Sequence, residues 1–226
     1  MVIYKTQPVR RRAMTAALKE TRKDAILATA QKLFCKEPFA SITMSTIATS
    51  AGLAKGTLYL YFRTREEIFL ALFARELRAW LASFKAAAAE LASPDAALDW
   101  IAASFAGRRE LLRLGTLLHS VLELNLSTDA ARTFKLEFDA ELSGAASAFA
   151  SALGLRDVDS GRLFLRWLQV CTVGIAQMAF PSAVVKTAIA EEPRLAHMLI
   201  DFKAELRRML GTLVSGMQRE ENKNDK

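Results

Sequence analysis

Apolar residues near the start of the chain recur with the 3.6-residue spacing of amphipathic helices. One such run covers residues 22–34 and is followed by Pro38, which cannot continue a helical hydrogen-bond ladder. A second run begins after Thr43, whose hydroxyl can cap the first turn, and ends before Gly52, which can adopt the left-handed conformation of a helix end. The apolar faces consist of Ile26, Ala30, Leu33 and Phe34 in the first run and of Met44, Ile47, Ala48 and Ala51 in the second.

A third, shorter helix is predicted over residues 55–62, with Leu58 and Phe62 four positions apart and able to pack inward. Two short helices joined by a glycine-containing turn form a helix-turn-helix, a unit whose second helix enters the major groove of DNA. A lysine there can reach a guanine or a phosphate, and a tyrosine hydroxyl can reach a phosphate oxygen. The outward-facing candidates are Lys55, Thr57, Tyr59, Leu60 and Tyr61. The alternative is that the two tyrosines are core aromatics of a helical bundle.

The positive charge of the chain is concentrated at its N-terminal end. The formal net charge is +7, of which residues 1–23 contribute +6, residues 24–65 contribute +3 and the remainder −2. This asymmetry favours an N-terminal module that binds a polyanion, although a solvated basic tail is the alternative. The triplet Arg10, Arg11 and Arg12 either follows the minor groove or the phosphates, adding non-specific affinity, or makes no defined contact.

The rest of the chain predicts further helices. Ten glycines and five prolines in 226 residues are too few for a turn-rich β fold. Helix starts are signalled by Thr64 with Glu67, by Ser93 before Pro94, and by Ser127 or Thr128. The helix from Val158 carries apolar residues on more than one side, which favours burial against a partner subunit. The last helix is predicted over residues 194–217.

Residues 167–185 carry no charge over 19 positions, which is close to the length of a membrane span. Polar residues and Pro181 interrupt this stretch, so a buried or interface helix is favoured. Cys35 and Cys171 lie 136 positions apart and form neither a disulfide framework nor a zinc motif, as is typical of a reducing compartment. The N-terminus lacks the apolar run of a secretory signal. We therefore expect a soluble, cytoplasmic protein.

The segment from Asp24 to Leu70 resembles the DNA-binding domain of the TetR family of transcriptional regulators. The resemblance lies in Ala30–Phe34 and in the string TxxxIAxxAGLAKGTLYLYFRTREEIF from Thr43, together about a fifth of the chain. It implies an all-α protein, with a three-helix DNA-binding domain followed by a larger helical domain for ligand binding and dimerisation. The DNA-facing positions that it implies are Thr43, Met44, Ser45, Lys55, Gly56, Thr57, Tyr59, Leu60, Tyr61 and Arg65. Ala54 replaces the small polar residue usual before the lysine, which predicts a weaker cap for the third helix.

The same resemblance implies the domain organisation. A basic flexible arm would cover residues 1–20, the helix-turn-helix domain 21–66, the effector-binding and dimerisation domain 67–220, and a tail 221–226. The last two long helices would pair across a two-fold axis as a four-helix dimer interface. Such symmetry agrees with the palindromic half-sites that paired helix-turn-helix units usually read.

Members of this family usually hold an effector pocket in the second domain, and an apolar pocket favours a hydrophobic or aromatic ligand. The candidates for its lining are Trp100, Phe105, His119, Phe134, Phe138, Trp167, Cys171 and Gln177; each is alternatively an ordinary core residue. The pairs His119 with Glu123 and His197 with Asp201 have a spacing that suits metal ligands, but such pairs are more often hydrogen-bonded contacts. We therefore expect no metal and no cofactor.

These observations predict a homodimeric regulator, a repressor that leaves a palindromic operator on double-stranded DNA when a small, largely apolar effector binds. One alternative is a DNA-binding regulator without an effector, and another is a helical carrier of apolar ligands that does not bind DNA. An enzyme is not expected, because the two histidines lie 78 positions apart and no glycine-flanked serine or cysteine motif supplies a nucleophile with its base.

Overall fold

In the computed structural model, the backbone is described for residues 7–224 and the side chains for residues 18–223. Within that range the chain is helical and forms no β-strand, which confirms the predicted all-α class. The α-helices are α1 (Gln7–Lys36), α2 (Met44–Ser50), α3 (Lys55–Tyr59), α4 (Arg65–Ala88), α5 (Pro94–Ala106), α6 (Arg109–Leu117), α7 (Thr128–Leu153), α8 (Val158–Ala179), α9 (Ala183–Glu191) and α10 (Phe202–Asn224). Between them lie 3₁₀ segments at Phe39–Ser41, Glu123–Asn125 and Pro193–Met198 and a π-helical turn at Leu118–Leu122.

The chain divides into two compact units, the first ending at Leu72 and the second beginning at Phe73. The division falls inside α4 and not at its start, where the sequence predicts the boundary between residues 66 and 67. The reason is that the first turns of α4 belong to the N-terminal core: Ile68 and Phe69 are fully buried there. The Phe69 ring centroid lies 5.3 Å from that of Phe34, in an edge-to-face arrangement.

The core of the first unit is formed by the apolar faces that the helical spacing predicts. Ile26, Phe34, Ile47 and Leu58 are inaccessible to solvent, and Phe62 is buried beside them. These side chains come from α1, α2 and α3, and from the residues directly after α3, so each short helix is held by tertiary packing more than by its own length.

The first helix begins at Gln7, and the prediction of a helix from residue 22 preceded by a flexible arm over residues 1–20 is wrong for residues 7–20. This stretch is rich in alanine, leucine, arginine and lysine, which are strong helix formers, and Pro8 stands in the first turn, where its missing N–H is not needed. Residues 1–6 and the side chains of Arg10, Arg11 and Arg12 lie outside the described part of the chain.

The second unit has a core of stacked aromatic rings contributed by α4, α5, α7 and α8. The rings of Phe84 and Phe149 stack with centroids 3.7 Å apart, and the rings of Trp80 and Phe105 lie 4.4 Å apart. The buried Trp80 donates its indole N–H to the Ser104 hydroxyl at 2.9 Å, so this polar atom is satisfied inside the core. The predicted caps at Ser93 and Ser127 are confirmed as the N-caps of α5 and α7.

The last helix begins at Phe202, eight residues later than the sequence predicts. Pro193–Met198 form a 3₁₀ segment instead, and Leu199 has extended backbone angles that end it. The Asp201 carboxylate accepts a hydrogen bond from the Ala204 N–H at 2.6 Å, which supplies the start of α10. In the described part of the chain, no single helix is both long and apolar enough to cross a membrane; α8 and α9 meet that test only as a pair, and they are bent by 61° at their junction.

Candidate functional site

The helix-turn-helix unit starts at a two-way capping interaction. The Thr43 hydroxyl accepts a hydrogen bond from the Thr46 N–H at 3.1 Å, while the Thr46 hydroxyl accepts one from the Thr43 N–H at 2.9 Å. Gly52, with φ +66°, adopts the left-handed conformation that ends the α2 turn. Both predictions for the boundaries of α2 are confirmed, and the turn that leads into α3 is therefore set by local chemistry.

Helix α3 is shorter than predicted, since it ends at Tyr59 and residues 60 and 61 form tighter turns. The Leu60 N–H donates to Thr57 O and the Tyr61 N–H to Leu58 O, both across three residues. The chain must leave the helix here because the Thr64 hydroxyl already caps α4 by accepting from the Glu67 N–H at 3.1 Å. The Glu67 carboxylate accepts from the Arg63 N–H at 2.7 Å, one residue earlier than a standard capping box requires.

Most of the predicted DNA-facing side chains around α2 and α3 are accessible. Thr43, Ser45, Lys55, Gly56, Tyr59 and Leu60 are exposed, while Met44, Thr57 and Tyr61 are half-buried. Leu60 is 76% exposed, which is unusual for a large apolar side chain without a binding partner. Leu58 is the buried residue of α3, so the other side chains of this helix are exposed or half-buried and accessible for contact. Ala54 at the N-cap has no side-chain oxygen to accept a hydrogen bond, as the sequence predicts.

Arg65 differs from the other predicted DNA-facing residues because its guanidinium is used inside the first unit. It donates from Nη1 to Ile42 O at 2.7 Å and to Phe39 O at 3.2 Å, and it pairs with the Glu66 carboxylate at 3.0 Å. The guanidinium also lies over the Phe39 ring, 4.1 Å from its centroid. With only 23% of its side chain exposed, Arg65 ties the segment that precedes α2 to the start of α4. These contacts give Arg65 a structural role within the first unit.

Thr43→Ala is expected to lower the free energy of unfolding by about 1 kcal/mol, because it removes the hydroxyl that accepts the hydrogen bond from the Thr46 N–H at the start of α2. Urea unfolding followed by circular dichroism measures the change. Thr49→Ala, at an exposed position near the other end of the same helix, is the control and should be neutral or slightly stabilising. Equal losses of unfolding free energy in Thr43→Ala and Thr49→Ala would show that the cap makes no specific contribution to stability.

The second unit contains an apolar cavity of about 60 Å³ between α4, α5, α6, α7 and α8. Of the predicted lining residues, Phe105 and Phe138 are at its wall. The other side chains that line it are Phe73, Leu77, Trp80, Leu111, Leu112, Leu142, Leu165, Leu168, Gln169, Thr172 and Val173, together with Gly115. Gln169 and Thr172 are the polar members that sequence reasoning missed. The sequence signal that could have identified them is their position as polar residues within the uncharged stretch 167–185.

The remaining predicted pocket residues do not line this cavity. Trp100 packs its edge against Phe84, with centroids 5.5 Å apart, and Phe134 is buried behind Phe138. Trp167 and Cys171 are half-buried on other sides of α8, and Gln177 and His119 are exposed. Burial raises the pKa of the Cys171 thiol, which makes it less reactive than an exposed cysteine. Helical periodicity groups these residues by apolar character, but only the packing of several helices decides which of them face a common space.

His119 and Glu123 are hydrogen-bonded, as the alternative to a metal site anticipates. The Glu123 carboxylate accepts from Lys135 Nζ at 2.6 Å and contacts His119 Nδ1 at 3.0 Å. His197 Nδ1 contacts Arg194 O at 3.0 Å and does not reach its predicted partner Asp201, because residues 193–198 form a 3₁₀ segment. Among the described residues, no group of three or more histidine, cysteine, aspartate or glutamate side chains could hold a metal ion.

Glu123→Gln is expected to lower the free energy of unfolding at pH 7 by less than about 1 kcal/mol, since the pair with Lys135 is partly exposed. Burial raises the pKa of Glu123, but the hydrogen bonds from Lys135 and His119 outweigh it, so the pKa lies below its ordinary value of 4.5. A lowered carboxyl pKa contributes stability above pH 4.5 that is lost as the pH falls through the lowered value. The difference between wild type and variant should therefore vanish in acid. Urea unfolding between pH 3 and pH 7 tests this, with the exposed Glu137→Gln as the control.

Two family models match the chain in sequence. Residues 26–72 match the model of bacterial regulatory proteins of the tetR family, and residues 74–221 match the model of the tetracyclin repressor-like C-terminal domain. The HTH-type transcriptional regulator EthR of Mycolicibacterium smegmatis is 42% identical over 53 residues, which is 24% of this chain and 24% of that relative. The uncharacterized HTH-type transcriptional regulator YerO of Bacillus subtilis is 39% identical over 49 residues, 22% of this chain and 17% of the relative. The matched segments thus span a quarter or less of these two relatives.

Solved structures resemble the fold of most of the chain. Thermus thermophilus FadR, a transcriptional repressor solved with lauroyl-CoA, superposes with a TM-score of 0.58 at 19% identity, covering 86% of this chain and 94% of its own. A TetR transcriptional regulator from Rhodococcus sp. RHA1 superposes with a TM-score of 0.53 at 16% identity, and the match covers 86% of this chain and 96% of that one. FadR of Bacillus subtilis, solved with stearoyl-CoA, superposes with a TM-score of 0.52 at 17% identity, and the match covers 85% of this chain and 97% of that one. At these identities the likeness is one of fold.

Proposed function

Since the chain belongs to the TetR family of bacterial regulatory proteins, we propose that it is a homodimeric repressor that binds a palindromic DNA operator and is released by a small, largely apolar effector. The observation that carries the proposal is the α2–turn–α3 unit. Its boundaries are set by the Thr43 cap and by Gly52, and its surface presents Lys55, Tyr59 and Leu60 to solvent.

The proposed reading surface combines charge with a defined helix. Lys55 stands in the first turn of α3, where the N-terminal residues of a recognition helix meet base edges, and the half-buried Tyr61 follows the helix, where its hydroxyl would contact a phosphate. Thr43 and Ser45, both exposed at the start of α2, are the candidates for further phosphate contacts. The net charge of +9 over residues 1–65, the sum of the two N-terminal segments, supplies the salt-dependent part of the affinity.

Dimerisation is proposed through α8 and α10, which carry large apolar side chains on their surfaces. Val170 and Met178 on α8 are 67% and 64% exposed, and Met209 on α10 is 45% exposed. Exposed apolar residues on neighbouring helices mark a surface that a partner covers. A two-fold dimer presents two recognition helices, which is what a palindromic operator requires.

The effector is proposed to bind in the apolar cavity of the second unit. Apolar pockets with few polar groups take largely apolar ligands. Binding would shift the population toward a conformer with lower operator affinity, so that effector and DNA weaken each other reciprocally. Acyl-CoA thioesters, the ligands of the Thermus thermophilus and Bacillus subtilis FadR structures, belong among the first compounds to test for operator release.

The experiment that tests this function is selection of bound duplexes from a random DNA library with the full chain, followed by a salt titration of the selected sequence. A palindromic consensus whose affinity falls steeply with salt is expected for a dimeric sequence reader. Weak binding that is indifferent to sequence would remove the repressor function and favour a helical carrier of apolar ligands.

A further inference from the structure

Thr172 is the one polar group of the cavity wall that has no interaction of its own. Its side chain is 5% exposed, and within the part of the chain that the structure describes its hydroxyl has no hydrogen-bond partner. Burying a hydroxyl without a partner is unfavourable, because water must be removed from it and nothing replaces the lost hydrogen bonds. An unpartnered hydroxyl in the wall of an apolar cavity indicates a hydrogen-bonding position for a bound molecule.

The orientation of Thr172 supports this. Hydroxyls inside helices usually donate to the carbonyl four residues earlier, and Thr29, Thr133 and Thr212 do so in this chain at 2.9, 2.9 and 3.2 Å. Thr172, in the middle of α8, does not make this bond and lines the cavity instead.

The other two polar side chains of the wall each make a contact with a neighbouring residue. The Trp80 indole N–H donates to Ser104, and Gln169 Nε2 contacts His119 Nε2 at 3.2 Å. No charged side chain is among the described residues that line the cavity. An ionised ligand group buried here would therefore lack a counter-charge, whereas an uncharged group needs only one hydrogen bond.

We propose that the cavity binds an uncharged, largely apolar or aromatic molecule whose single hydroxyl or carbonyl oxygen is hydrogen-bonded by Thr172. The hydroxyl of threonine can donate to either group and can also accept from a hydroxyl. Four aromatic side chains of the wall, Phe73, Trp80, Phe105 and Phe138, provide the apolar surface for the remainder of the ligand. This inference rests on the proposed effector-controlled function and specifies the chemistry of its ligand.

The ligand must also widen the cavity. A volume of about 60 Å³ is smaller than the roughly 150 Å³ that accommodates benzene in an engineered protein cavity. Phe138, Leu142 and Gln169 line both this cavity and an adjacent cleft of about 240 Å³ on the surface of α7 and α8. These three side chains are therefore the ones whose movement enlarges the cavity when a ligand enters, while the charged residues Asp139, Arg162 and Arg166 line the cleft and not the cavity.

The test uses the full-length protein and two matched sets of probes, the three cresols and the three xylenes, which differ by a hydroxyl in place of a methyl group. Calorimetric titration compares wild type with Thr172→Val, which removes the hydroxyl at nearly constant volume, and Thr172→Ser, which keeps it. At least one cresol is expected to bind roughly tenfold more weakly to T172V, while the matching xylene changes by less than about twofold and T172S retains cresol binding. The exposed Thr133→Val on α7 is the control and should alter neither affinity.

A purely structural role for Thr172 predicts instead that cresol and xylene affinities change together in T172V, and this result would overturn the proposal. Failure of every probe to bind the wild-type protein would overturn it as well, without using a variant. Operator binding is measured on the same samples in the absence of probe. If cresol and xylene affinities change together in T172V while DNA binding is intact, the ligand chemistry alone is rejected. If the wild-type protein does not bind DNA but T172V shows the loss that is specific to cresol, the repressor function alone is rejected.

Discussion

Replacement of Lys55 and Tyr61 together by alanine is expected to weaken operator binding at least about 100-fold. A lysine that meets a guanine or a phosphate and a tyrosine hydroxyl on a phosphate contribute on the order of 1–3 kcal/mol each, and a dimer loses both of them twice. The measurement is fluorescence anisotropy with the selected duplex at one fixed salt concentration, because affinities at different salt concentrations cannot be compared.

The same double variant should keep its fold, because Lys55 is exposed and Tyr61 is half-buried outside the fully buried core. Its midpoint of thermal unfolding, its dimerisation and its binding of apolar ligands are expected to match wild type. Lys203→Ala removes one positive charge from an exposed site on α10 and is the control for net charge alone. Tyr61→Phe separates the tyrosine hydroxyl from its ring. Unchanged DNA affinity in the double variant would mean that α3 is not the reading helix.

The local parts of the fold could be predicted from sequence because their causes lie within a few residues. Thr43 and Ser127 cap helices through hydrogen bonds to backbone groups three positions on, and Gly52 and Gly154 occupy left-handed positions at helix ends. The spacing of Ile26, Ala30 and Phe34 likewise predicts the buried face of α1. Each of these signals lies within a stretch of fewer than ten residues.

The parts that could not be predicted depend on residues distant in sequence. Arg65 carries the charge expected of a DNA contact, yet its guanidinium is bound by carbonyls 23 and 26 positions earlier. Thr172 belongs to no sequence motif. It lines an apolar cavity because five helices pack together around that space. Periodicity ranks residues as buried or exposed. It does not say which buried residues leave a space between them.

A close approach between α7 and α8 at Gly161 predicts the largest effect on stability. Gly161 is buried in the first turn of α8, and a Cβ atom at this position would lie 2.2 Å from Ala146 O and 3.2 Å from Ala150 Cβ. The first of these contacts is with backbone, so relief requires the two helices to move apart. Since α8 also packs its buried Phe164 against Phe149 of α7, at 5.9 Å between ring centroids, such a movement would disturb the aromatic core.

Gly161→Ala is therefore expected to lower the free energy of unfolding by about 3 kcal/mol and the midpoint of thermal unfolding by roughly 6–12 °C, even though alanine is the better helix former. Gly144→Ala on α7 is the matched control: Gly144 is exposed and its added Cβ would meet no atom within 4 Å. That variant should gain about 0.5–1 kcal/mol from helix propensity. Urea unfolding of both variants decides the matter, because a stabilised Gly161→Ala would mean that α7 and α8 are not held together as closely as this backbone contact requires.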